Sequence, residues 1–65
     1  MDLYDLEPGD LVRVGEGGAV AEVVRETEDG RWILVRFIEN PEERHLVGTE
    51  RRCSEDEIVE KVMRD

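Results

Sequence analysis

The chain reads as an all-β domain of short antiparallel strands, and three features predict it. The densest apolar run, Gly30 to Ile38, holds the only Trp and the only Phe among β-branched residues. Apolar residues elsewhere fall in short alternating runs. Turn signals punctuate those runs at Pro8-Gly9, Gly15 to Gly18, Asp29-Gly30 and Asn40-Pro41.

Gly30 to Ile38 is the expected central strand. Alternation sends Ile33, Val35 and Phe37 to one face and Trp32, Leu34 and Arg36 to the other. Both faces are partly apolar, so both want cover.

The remaining elements follow in order. Met1 to Glu7 carries Leu3, Tyr4 and Leu6 among acids and reads as a lead-in whose apolar side chains lie on the domain edge. Glu7-Pro8-Gly9-Asp10 is a turn, because Pro presets φ and Gly permits a positive one. Leu11 to Val14 is the first strand, with Val12 and Val14 inward and Arg13 outward. Ala19 to Glu26 is the second. Its valines break strict alternation, and a bulge near Ala21-Glu22 would let Val20 and Val23 share a face. Thr27 to Gly30 is a hairpin turn ending in Asp-Gly. Glu39 to Glu43 breaks the sheet at Pro41, which cannot donate to a ladder. A fourth strand is expected at Thr49 to Cys53.

Ser54-Glu55-Asp56-Glu57 matches a capping box, in which the Ser hydroxyl accepts from the Glu57 backbone N–H. After it, Ile58, Val59, Val62 and Met63 fit a short helix face. Val59, Lys61 and Met63 fit an alternating strand equally well, and so short a stretch does not decide between them by periodicity.

Sixty-five residues make one domain with one small core. The division expected is a lead-in at 1–8 and the folded domain at 9–65. Charged residues are 42% of the chain and the formal net charge is -9. Phosphates would be repelled, so nucleic acid is a poor partner. The arginines are expected to pair with the many surface glutamates. One Cys excludes an internal disulfide. The acidic start lacks the basic, apolar pattern of a signal peptide, and no apolar run approaches the roughly 20 residues of a membrane span. The expectation is a cytoplasmic protein without membrane contact.

The chemistry-bearing residues are sparse. His45 and Cys53 are the only soft metal ligands, and they lack paired spacing, so no metal or cofactor is expected. The plainer expectation is a buried Cys53 packed near Ile58 and an exposed loop His45. Gly15-Glu16-Gly17-Gly18 has neither the Lys nor the following helix of a phosphate loop. A domain this small offers little to position a substrate, so a non-enzyme is expected.

The run Gly9-Asp10-Leu11-Val12-Arg13-Val14, with Gly18-Ala19-Val20, Val35-Arg36-Phe37 and Asp56-Glu57-Ile58-Val59, resembles the SH3-like small β-barrels. The likeness spans Gly9 to Met63. It is nearest to the small accessory barrels of photosystem I and of the ferredoxin:thioredoxin reductase variable chain, with KOW and Tudor modules as cousins in shape. The resemblance implies a five-stranded antiparallel barrel with a 3₁₀ turn at Glu55 to Glu57 and a last strand near Val59 to Met63. The basic surface of a KOW module and the aromatic cage of a Tudor module are missing: only Tyr4, Trp32 and Phe37 are aromatic.

The function expected is a non-catalytic protein-binding or accessory module. Its docking face comprises Trp32, Leu34, Arg36 and Tyr4, and its partner is a protein with a basic or mixed-charge surface. The rival to docking is internal cover of Trp32 by Leu3, Tyr4 and Leu6 or by Ile58 to Met63. Self-association is a further way to cover that face. The other classes are an acidic nucleic-acid mimic and a modulating subunit of a redox or metalloenzyme.

Overall fold

The computed structural model describes residues 3–26 and 30–63. Five strands form one antiparallel sheet: β1 (Leu11–Val14), β2 (Ala19–Glu26), β3 (Trp32–Glu39), β4 (Glu50–Ser54) and β5 (Ile58–Val62). Their order is β4-β3-β2-β1-β5, so the central strand is β2 and not β3 as expected, because β3 carries only β4 beyond it while β2 is followed by both β1 and β5. The sheet is barrel-like but open, with β4 and β5 as its two edges. The helical segments described are three-residue 3₁₀ turns, at Leu3–Asp5, Arg44–Leu46 and Glu55–Glu57.

The alternation of β3 holds. Ile33, Val35 and Phe37 are buried, Trp32 and Leu34 are half-buried, and Arg36 is exposed. Val12 and Val14 join the core from β1, and Ala19, Ala21 and Val23 from β2. Cys53 and Ile58 complete it from β4 and β5, as expected for a buried Cys53.

Three further expectations are corrected. The lead-in does not lie on the edge. Leu3 and Leu6 are buried in the core, at 2% and 0% exposure. They are three residues apart on a 3₁₀ turn, where such positions eclipse. Val20 and Val23 do not share a face either. Val20 pairs with outward Arg13, whereas Ala21 pairs with core Val12. The irregularities fall at Ile38 of β3, where Val20 pairs with Glu39 and Ala21 with Phe37, and at Val24 of β2. Each extra residue bends its strand and raises the twist that curls a small sheet. Third, Ser54 makes no side-chain bond to the backbone of the following turn. Its hydroxyl instead donates to Glu57 Oε1 at 3.4 Å. A 3₁₀ turn of three residues leads straight into extended Ile58, so little helix remains to cap.

The turn before β1 forms as its residues dictate. Asp10 N–H donates to the Glu7 carbonyl at 3.0 Å, with Pro8 and Gly9 between them. Gly9 has φ +96°, the value a type II turn requires at its third position. The Glu7 N–H then donates to Asp10 Oδ2 at 2.9 Å, locking the turn. Thr27 to Asp29 of the expected β2–β3 hairpin turn lie outside the described residues. The connection from β3 to β4 holds the 3₁₀ turn Arg44–Leu46, which the sequence pattern did not reveal. It ends at Gly48, whose N–H donates to the Phe37 carbonyl at 2.8 Å.

Candidate functional site: the outer face of the sheet

The core occupies one side of the sheet, and the expected docking residues occupy the other. Strand pairing places Trp32 opposite Ser54, Leu34 opposite Arg52 and Arg36 opposite Glu50. On the other flank, the bulge at Val24 sets Arg25 opposite Leu34, and Glu22 faces Arg36. Trp32, Leu34 and Arg36 are thus brought together in one row. The side chain of Tyr4 lies outside the described part of the structure.

Among the described residues, neither Leu3 and Leu6 nor the segment from Ile58 to Met63 covers Trp32, and the Tyr4 part of the expected cover lies outside them. Leu3, Leu6 and Ile58 go into the core cluster, which does not include Trp32. Val62 pairs with Leu11 at the far edge of the sheet, and Met63 is 83% exposed. What lies over the indole is Arg52, with its guanidinium carbon 4.6 Å from the ring centroid. Such a stack is worth about 0.5–1 kcal/mol at an exposed site. The long Arg stem shields part of the apolar row while its head stays wet. No sequence pattern pointed to Arg52, because it reaches Trp32 only through the β3–β4 register.

The same row carries an ion pair, from Arg36 Nη2 to Glu50 Oε2 at 2.8 Å. On β1 and β5, Arg13 pairs with Glu60 at 2.6 Å. The expectation that arginines answer surface glutamates is met at these positions. Both pairs are about half exposed, so they orient side chains more than they stabilise the fold.

The residues considered for catalysis or metal binding lie elsewhere. His45 is exposed on the second 3₁₀ turn. Cys53 is enclosed, and burial, with the nearby Glu57 carboxylate, pushes its thiol up to about 11. A protonated, enclosed thiol makes a poor nucleophile or ligand. Among the described residues no group of three or more His, Cys, Asp or Glu is placed to hold a metal ion. No helix among the described residues is long and apolar enough to cross a membrane.

The outer face therefore offers the half-buried apolar side chains of Trp32 and Leu34, an arginine stacked on the indole and an exposed Arg–Glu pair. Compared with known protein families, curated proteins and solved structures, the chain gives no significant match to any.

Proposed function

We propose that the protein is a non-catalytic protein-binding or accessory module of the SH3-like barrel type, docking a partner through the face that carries Trp32, Leu34 and Arg36. One observation carries the reading. Trp32 and Leu34 are only half-buried and stand outside the core cluster, with the Arg52 guanidinium stacked on the indole. Trp and Arg are the residue types that dominate binding energy when a partner excludes water from them. A partner that displaces Arg52 from the ring gains the apolar area and inherits the arginine. The alternating Arg and Glu of this face favour a partner of mixed charge. They count against a uniformly phosphate-like surface, and so against the nucleic-acid mimic.

Trp32→Ala tests the proposal. Outside the core, its loss should leave the denaturation midpoint within about 1 kcal/mol of the wild type. Proteins retained by the immobilised wild type, but not by the variant, are identified, purified and remixed with both. The expected outcome is a purified partner whose affinity falls by about 2 kcal/mol or more in the variant. A loss of stability near the 3–5 kcal/mol of a core truncation, or retention of the same proteins by both, overturns it.

A further inference from the structure

The two ends of the core are closed differently. Leu3 and Leu6 of the lead-in are buried, and Leu6 and Val12 are fully enclosed. At the end where β1 stops, Val14 and Ala19 keep 7% and 8% exposure. Half-buried Leu46 packs on the core there. Beside it a cavity of about 450 Å³ opens, with Val14, Ala19, Phe37 and Leu46 along its apolar floor.

The walls of this groove come from three separate segments. Glu16 belongs to the β1–β2 turn, Glu42 and Glu43 to the β3–β4 connection, and Asp56 and Glu57 to the last 3₁₀ turn. Glu42 lies across the β1–β2 turn because Gly17 has no side chain. A Cβ there would sit 2.6 Å from a Glu42 carboxylate oxygen, and Glu42 would have to move. Among the described residues, the cation lining the groove is Arg51, already paired with Glu57 at 3.0 Å. Arg51 stands opposite core Val35, on the inner side of an edge strand.

An apolar floor with unbalanced carboxylates around its mouth selects its occupant by charge complementarity. Among the described residues the carboxylates do not converge as ligands of a metal ion, and they surround a small apolar floor on which half-buried Leu46 is the most accessible side chain. Long cationic side chains have that shape: an aliphatic stem for the floor and a charged head for the rim. Between the two kinds, the planar guanidinium can engage carboxylates from two segments at once. We propose that this groove receives an arginine side chain from a basic, extended segment of a protein partner. It shares no residue with the Trp32 face and stands independently of that reading.

The test uses the full chain, labelled with ¹⁵N, and the peptide acetyl-Gly-Arg-Gly-amide at near-physiological salt. A twin peptide carries neutral citrulline in place of arginine. The expected result is a saturable shift of the amides in segments 15–19, 40–46 and 56–57. The citrulline twin, and the double variant Glu42→Gln/Asp56→Asn, should each bind at least about tenfold more weakly. Trp32→Ala should bind the peptide as the wild type does. The altered carboxylates are exposed, so the double variant should keep the wild-type spectrum away from the groove. Non-saturating shifts, shifts spread over the whole acidic surface, or equal binding of the two peptides would overturn the groove. Shifts centred on Trp32 and Leu34 would also overturn it, while leaving the docking face standing.

Discussion

Single side chains show how burial sets chemistry here. Cys53 sits in the core with its thiol pushed from an ordinary 9.0 to about 11, chiefly by burial. The folded state therefore holds the proton that the unfolded chain releases above about pH 9. Stability then falls as pH rises through the window from about 9 to 11, since the unfolded state binds fewer protons there. Cys53→Ala should show a shallower decline over that window than the wild type, read as denaturation midpoint against pH. Parallel declines would mean that the thiol is not enclosed. Asp10 works in the opposite direction. The Glu7 backbone N–H foremost holds its carboxyl below the usual value against the opposing effect of burial, with help from Lys61 at 3.4 Å. That stability is present above the unfolded carboxylate range, about pH 4, and is lost as pH falls through the lower folded value. Asp10→Asn should thus lose less stability than the wild type on acidification below about pH 4. Ser54 is the residue where the sequence misled. With no bond to the backbone of the turn, Ser54→Ala should cost under about 0.5 kcal/mol, not the 0.5–2 kcal/mol of a true cap. A larger drop in midpoint would restore the cap.

Among the elements, the first 3₁₀ turn matters more than its place in the chain implies. Leu6 is fully enclosed, so Leu6→Ala should cost about 2–5 kcal/mol. A domain of this length has total stability of only a few kcal/mol, so the variant should be largely unfolded. Far-ultraviolet circular dichroism with a urea titration checks it, and an unmoved midpoint would put Leu6 outside the core. The strands themselves were legible. β1 and β2 match their expected ends, and β4 is displaced by one residue, because Gly, Pro and Asp-Gly turns bound them and β-branched residues fill them. That the turn at Glu55 to Glu57 gives way to a strand was legible only through the resemblance, since Ile58 to Met63 fit helix and strand alike. The burial of Leu3 and Leu6 was not seen, although a spacing of three between leucines is the signal of a 3₁₀ turn. The bulges at Val24 and Ile38 could not be placed, because a bulge is a property of two paired strands and not of one.

At the scale of the whole molecule, what the sequence hides is whatever needs two distant segments to meet. The row of Trp32, Leu34 and Arg36 follows from alternation within one strand. The Arg52 lid needs the β3–β4 register, and the acid-walled groove needs three connections to converge at one end of the sheet. Charge, by contrast, is a global property read at once. The excess of acids over bases is 18 against 9. The ion pairs Arg13–Glu60, Arg36–Glu50, Arg51–Glu57 and Lys61–Asp10, among the described residues, use only some of the carboxylates. Each is substantially exposed and contributes about 0–1 kcal/mol. Folding gathers the remaining negative charge into a small volume, and that self-repulsion opposes the compact state. Salt weakens the attraction within the pairs and the repulsion among the surplus carboxylates together, since the Debye length shortens to about 8 Å at 0.15 M. With a net charge of -9, the repulsion is the larger sum. The melting temperature should therefore rise as sodium chloride is raised from low to moderate concentration, and the double variant Glu42→Gln/Asp56→Asn should show a smaller rise, because its groove already carries less negative charge. A melting temperature that falls with salt would mean that the exposed pairs outweigh the surplus charge.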